Sequence, residues 1–321
     1  MTTALFECRN LTKFFPIKHL FREVGRVHAV EEVNLLIPEG GTVGLVGESG
    51  CGKTTLARTI LFLIEPTSGQ VFFRGEDMGT YSKRTLRRFR RETAIVFQDP
   101  YSSLDPRMLI ADVVGEPLAI HKMAFGEDRD DLVLSLLERV GLKTEHLYRY
   151  PHEFSGGQRQ RLAIARALAA DPNFILLDEA TSALDVSVQA KILNMLNDLK
   201  AELKLTYLFI SHDLSVVRHL SDTIGVMYLG RMVEYGTREQ VFDHAEHPYT
   251  RGLLAAAPSV NPDDRDRPRD VALEGEVPSA ANPPSGCRFH PRCPNRKPEC
   301  ENVRPELVDI GNGHLVACTP S

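Results

Sequence analysis

Two hydrophobic rhythms alternate along this chain. Short, mostly apolar runs occur at Thr42-Val43-Gly44-Leu45-Val46, Ala94-Ile95-Val96-Phe97-Gln98, Phe174-Ile175-Leu176-Leu177, Tyr207-Leu208-Phe209-Ile210 and Ile224-Gly225-Val226-Met227-Tyr228. Between them lie stretches of helical period: Thr55 to Leu63, Asp131 to Val140, Arg159 to Ala169, Ser187 to Leu203 and Leu214 to Leu220. A continuous apolar run suits a strand buried on both faces of a parallel sheet, whereas the 3.6 spacing marks a helix with one buried side. Their alternation predicts an α/β fold with a mostly parallel sheet. Turn signals punctuate the pattern at Pro38-Glu39-Gly40-Gly41, Pro66-Thr67-Ser68-Gly69, Gly141 and Asp171-Pro172.

Two regions depart from this rhythm. Up to about residue 45 the chain reads as short strands, with alternation in Val33 to Ile37, interrupted by a basic, aromatic insertion from Lys13-Phe14-Phe15-Pro16 to Phe21-Arg22. From 258 to 298 Pro, Asp, Arg and Gly dominate and periodicity is lost, which predicts a loop-rich extension. The arginine-rich segment Arg84 to Arg91 carries Leu86 and Phe89 at helical spacing and reads as a helix with a solvated face.

At 321 residues the chain can hold a large core and a smaller second unit. A net charge of −5 leaves no global footprint for nucleic acid, so none is expected as a partner. No apolar run is long enough to cross a membrane, and the N-terminus lacks a basic region followed by a long apolar core. The expected location is therefore the cytoplasm.

Candidate chemistry begins after the first apolar run. Gly47-Glu48-Ser49-Gly50-Cys51-Gly52-Lys53-Thr54 fits the G-x-x-x-x-G-K-[ST] phosphate-binding loop, in the strand–loop–helix setting that the motif needs. Its glycines let the backbone curl so that N–H groups face a polyphosphate, and the helix from Thr55 adds its positive end. Lys53 can reach the outer phosphates and the Thr54 hydroxyl can sit on Mg²⁺. Cys51 fills a variable position, where loop amides and Lys53 could lower its pKa.

Phosphoryl transfer also needs a metal carboxylate and a group to orient water. Asp178 and Glu179 follow the buried run 174–177, at the edge where open α/β sheets bind ligands. Asp178 suits a Mg²⁺ partner and Glu179 a base for the attacking water. Gln98 and His212 have the same placement after two other runs. Ser155-Gly156-Gly157-Gln158 opens the helix from Arg159 and makes a second anion-binding nest.

Together these residues resemble the ATP-binding-cassette ATPases. Phe154-Ser155-Gly156-Gly157-Gln158 is similar to the family signature, with Phe154 where Leu is commoner. Gln98 is similar to the glutamine loop, Asp178-Glu179 to the Walker B end, Ser182-Ala183-Leu184-Asp185 to the D-loop, and His212 to the switch histidine. The resemblance implies a RecA-like P-loop core, an antiparallel β subdomain and a helical subdomain near 99–165. It implies ATP and Mg²⁺ as ligands, with the metal held through Thr54, Gln98 and Asp178, and Glu179, Gln98 and His212 as catalytic residues. Phe15 would stack on adenine, residues 47–55 including Thr55 would line ATP, and Ser155 to Gln158 with Asp185 would serve an ATP held by a partner in a head-to-tail dimer.

Further stretches resemble the dipeptide/oligopeptide and nickel importer ATPases: Gln98 to Arg107, Arg149 to Phe154, and His247-Pro248-Tyr249-Thr250. The implied partners are a sister ATPase, two transmembrane permease subunits and an extracytoplasmic substrate-binding protein. The implied site of work is the cytoplasmic face of the inner membrane, where the chain would be peripheral. The expected domains are 1–257 for the ATPase and 258–321 for the extension. A soluble cassette ATPase in DNA repair or translation is the rival class, and nickel or glutathione are rival cargoes.

Cys287, Cys293, Cys300 and Cys318 gather near the C-terminal end, with five, six and seventeen residues between them. In a reducing compartment such a group points to metal before disulfides. The subfamily resemblance implies a [4Fe–4S] cluster on these four, with Zn²⁺ or free thiols as the alternatives.

Overall fold

Phe6, Cys8 and Leu11 are buried on one long strand, Ala4–His19 (β1), and Val30, Val33, Leu35 and Ile37 on a second, Arg22–Pro38 (β2). The two pair antiparallel from Ala4↔Pro38 to His19↔Arg22, with several register shifts. The expected insertion is thus the outer part of one hairpin, where Phe15 faces Val27 and Pro16 faces Arg26. Proline is tolerated there because the pairing of β1 with its other neighbour stops at Thr12↔Ser68. This computed structural model describes residues 3–20, 22–182, 184–256, 273 and 275–318.

The chain divides into two units, one from Met1–Pro38, Thr42–Gly79 and His212–Ser321, the other from Glu39–Gly41 and Thr80–Ser211. In the first, the buried strand Thr42–Val46 (β3) leads through the phosphate loop into the helix Lys53–Ile60 (α1). Strands Ser68–Phe73 (β4) and Glu76–Asp77 (β5) complete an antiparallel sheet in the order β2-β1-β4-β5.

The second unit opens with the arginine-rich helix Lys83–Glu92 (α2), which buries Phe89 and leaves most of its arginines in solvent. It feeds Thr93–Val96 (β6), followed by the helices Pro100–Ser103 (α3), Ile110–Ile120 (α4), Gly126–Arg139 (α5) and Gly156–Leu168 (α6). Gly141, at φ 71°, ends the α5 region in the left-handed conformation that favours glycine. Then come Phe174–Asp178 (β7), Val186–Leu203 (α7) and Thr206–Ile210 (β8). β6, β7 and β8 are neighbouring parallel strands, and β7 and β8 are buried along their whole length.

The chain re-enters the first unit with Leu214–Leu220 (α8), Thr223–Tyr228 (β9), Arg231–Thr237 (β10), Arg238–Asp243 (α9) and Pro248–Ala256 (α10). β9 runs parallel to β3, whereas β10 pairs antiparallel with β9 and with Leu315–Val316 (β12), which pairs in turn with Val308–Asp309 (β11). Residues 275–318 are otherwise loops and short 3₁₀ turns, packed through Phe289, Cys300, Val316 and Ala317. The expected boundary between 257 and 258 lies outside the described residues. No helix among the described residues is long and apolar enough to cross a membrane.

Candidate functional site

The loop between β3 and α1 is held in a shape that only small residues permit. Gly47 has φ 149° and Gly52 φ 107°. A Cβ on Gly47 would come within 2.7 Å of the Cys51 Sγ and run into the Met227 carbonyl, and one on Gly52 would strike the Ala29 carbonyl. The result is a cradle of backbone at the N-terminus of α1. Lys53, 5% exposed, folds its Nζ back into it, donating to the Gly47 carbonyl at 2.6 Å and the Glu48 carbonyl at 3.1 Å. The Cys51 N–H donates to the Glu48 carbonyl at 3.2 Å, and the Gly230 N–H closes the far side on the Cys51 carbonyl at 2.8 Å. A cation seated among loop carbonyls beneath inward-curling amides fits a bound polyphosphate.

Burial pushes the Cys51 thiol up, outweighing Lys53, which acts in the opposite sense. The lowering that the loop amides and Lys53 could exert on this cysteine is therefore outweighed. The thiol packs under Gly47 instead of facing solvent.

Asp178 ends β7 and is buried, and Glu179 follows at φ 50°, a left-handed conformation uncommon outside glycine. The Glu179 N–H donates to the Ile210 carbonyl at 2.9 Å, which fixes the turn against β8. Gln98 is exposed two residues beyond β6, which lies in register with β7 through Val96↔Leu177. Gln98, Asp178 and Glu179 therefore share one edge of the second unit. His212 follows Ile210 by two residues and belongs to the first unit.

Ser155 is the N-cap of α6, forming a capping box with Gln158: the Gln158 N–H donates to Ser155 Oγ at 3.4 Å and the Ser155 N–H to Gln158 Oε1 at 3.0 Å. A Cβ on Gly157 would collide with Val188 of α7, so this glycine is required by packing. Phe154, in place of the commoner Leu, is buried edge-on to His146 at 5.0 Å. Asp185 occupies the N-cap position of α7 without a side-chain capping bond and is exposed, while Ala183 lies outside the described residues. Phe15 is 37% exposed on the β1–β2 hairpin, with the Lys13 ammonium 5.2 Å from its ring centre.

The metal expected at the C-terminal cysteines is not supported. Among the described residues no group of three or more His, Cys, Asp or Glu side chains is placed to hold a metal ion. That overturns both the [4Fe–4S] and the Zn²⁺ assignments to Cys287, Cys293, Cys300 and Cys318. All six cysteines are thiols and none is half of a disulfide. Burial pushes the Cys287 thiol up to about 11 and also raises Cys293 and Cys318, with neighbouring cysteines acting in the same sense.

Sequence reasoning missed what surrounds the loop. The Tyr249 hydroxyl accepts the Glu48 N–H at 2.9 Å, and Arg292 clasps the Glu48 carboxylate. Tyr228, Tyr249, His247 and Phe289 form a buried ring cluster behind them. Arg288 donates to the Leu229 carbonyl and pairs with Glu31, which also binds Arg231. The ties of Tyr249 and Arg292 to the loop span long stretches of sequence, and the His247-Pro248-Tyr249-Thr250 stretch, marked only for its resemblance, does not reveal them.

A glycine-built phosphate loop between a parallel strand and a helix defines a P-loop nucleotide-binding protein of the α/β class. The chain belongs to the ABC transporter family, which matches residues 30–182, and the oligopeptide/dipeptide transporter C-terminal region matches residues 233–300. It is 48% identical over 318 residues to the oligopeptide transport ATP-binding protein AppF of Bacillus subtilis, covering 98% of this chain and 97% of that one. It is also 48% identical over 315 residues to the dipeptide transport ATP-binding protein DppF of Escherichia coli, covering 98% and 93%. Among solved structures it is similar to the dimeric ATP-binding cassette MJ0796 in a post-hydrolysis state with ADP and Pi. That match has a TM-score of 0.65 at 31% identity and covers 73% of this chain and 98% of the other. It is likewise similar to cbiO1 from Clostridium perfringens, part of the cbiONQ ABC transporter complex. Here the TM-score is 0.65 at 27% identity, covering 78% and 95%.

Proposed function

We propose that this chain is the ATP-hydrolysing subunit of a membrane importer for dipeptides and oligopeptides. The observation that carries the reading is the Lys53 ammonium seated on the Gly47 and Glu48 carbonyls in a glycine-built cradle, in a chain that matches peptide-transport ATPases almost end to end. That breadth of likeness favours the importer over a soluble ATPase of DNA repair or translation. Residues 1–257 would form the ATPase domain, with its helical subdomain near 99–165, and residues 258–321 the extension.

In this reading the backbone amides of 47–54 and Lys53 hold the ATP phosphates, Thr55 lines the same helix start, and Phe15 stacks on adenine. Thr54, Asp178 and Gln98 offer a hydroxyl, a carboxylate and an amide oxygen, an all-oxygen set that suits Mg²⁺. The ion, when bound, neutralises phosphate charge. Glu179 takes the proton of the attacking water, Gln98 orients it, His212 contacts the γ-phosphate, and phosphoryl transfer then depends on positioning more than on covalent chemistry. Ser155 to Gln158 and Asp185 serve an ATP held by a sister ATPase across a head-to-tail dimer. Closure and reopening of that dimer drive two permease subunits supplied by an extracytoplasmic binding protein, with this chain peripheral on the cytoplasmic face of the cell membrane. Affinity purification from detergent-solubilised membranes should recover two permease subunits and a sister ATPase, with ATPase activity raised by peptide-loaded binding protein. Recovery of ribosomes or DNA as the main partner would overturn the proposal.

A further inference from the structure

Glu48 is an acidic residue in a loop built to take a polyanion, and the C-terminal extension meets its charge. Arg292 donates from both terminal nitrogens to the two carboxylate oxygens of Glu48, at 2.7 and 3.0 Å, across 244 residues of sequence. The arginine side chain is 5% exposed and that of Glu48 25%. Parallel, bidentate pairing is the strong and geometrically selective form of this contact, and burial shields it from salt. The guanidinium lies 5.9 Å from the Tyr228 ring centre, and Tyr228 packs edge-on against Phe289, which belongs to the same turn as Arg292. Glu48 is thereby fixed at three groups: its N–H by Tyr249 at 2.9 Å, its carbonyl by Lys53 at 3.1 Å, and its carboxylate by Arg292.

We infer that Arg292 is a positioning residue for nucleotide binding, supplied by the C-terminal extension to hold Glu48 in place and cancel its charge beside the phosphate site. The inference rests on the ATP-binding reading above. Two physical consequences separate it from ordinary packing. Without Arg292 a carboxylate stands uncompensated next to bound phosphate, and the repulsion grows with the charge of the ligand. Glu48 is also released to move, and its carbonyl is one of the two that seat Lys53.

The test is calorimetric titration of the full-length chain with Mg-ATP and Mg-ADP. Arg292→Met should weaken Mg-ATP binding by on the order of tenfold, with a smaller loss for Mg-ADP. Arg292→Lys should recover part of the affinity, and the double variant Glu48→Gln/Arg292→Met most of it, because the charge needing compensation is gone. If Arg292→Met does not fold, the Lys variant decides: it should lose more affinity for Mg-ATP than for Mg-ADP. Unchanged Mg-ATP binding, or equal losses for both nucleotides with no recovery in the double variant, would overturn the inference while leaving the ATP-binding reading intact. Absence of saturable Mg-ATP binding by the wild-type chain would instead overturn that reading, and the inference with it.

Discussion

The Tyr249 hydroxyl accepts the backbone N–H of Glu48 at 2.9 Å, although 201 residues separate the two. Tyr249 is fully buried, with its ring 4.7 Å from that of Tyr228 and 5.4 Å from that of Phe289. The phosphate loop is therefore braced by α10 as well as by its own strand and helix. Tyr249→Phe keeps the ring and removes only this acceptor. Leaving the Glu48 N–H without it should cost about 1–3 kcal/mol, read as a lower urea midpoint, with weaker Mg-ATP binding alongside. An unchanged midpoint would show that the hydrogen bond contributes nothing.

Glu179→Gln tests the proposed base. The exchange preserves shape and the N–H contact to Ile210, and it removes basicity. ATP turnover by the assembled complex should fall by about 10²-fold or more, with nucleotide binding retained. Turnover close to wild type would take the base role away from Glu179.

The alternating strands and helices were legible because their signals are local and strong. The run 174–177 is buried on every residue, and the helix predicted over Leu214 to Leu220 has those same ends. The phosphate loop was legible because its glycines answer a backbone demand, visible as positive φ at Gly47 and Gly52. The β1–β2 hairpin was not, since its outer part mixes Pro16 with charged and aromatic residues and hides the alternation. Nor were Tyr249 and Arg292, whose roles depend on contacts across more than two hundred residues. The cysteines misled for a related reason. Proximity in sequence implied a cage, but spacing does not encode side-chain geometry, and among the described residues no group of three or more His, Cys, Asp or Glu is placed to hold a metal ion.

Phe289 joins the extension to the loop's support. It is 1% exposed and touches Tyr228, His247 and Tyr249. Phe289→Ala should destabilise the protein by about 3–5 kcal/mol, combining lost burial with a cavity. Chemical denaturation measures this directly, and a loss below about 1 kcal/mol would mean that the site collapses around the smaller side chain.

His247 supplies a pH dependence whose sign follows from burial. Its imidazole is buried, its Nδ1 accepts the Tyr249 N–H at 3.1 Å, and burial pushes its pKa from 6.5 to about 3. Below pH 6.5 the unfolded chain takes up a proton that the folded chain refuses until about pH 3. The contribution is therefore complete above pH 6.5 and is lost as pH falls through that window, at up to about 1.4 kcal/mol per unit. His247→Asn offers an oxygen to the same N–H but does not titrate. Other titrating groups act alike in both proteins, so the difference in slope isolates the histidine. Urea unfolding at pH 7 and pH 5 should show the wild type losing about 1.5–2 kcal/mol more than His247→Asn, and equal losses would mean that the imidazole protonates in the folded protein as readily as in the unfolded one.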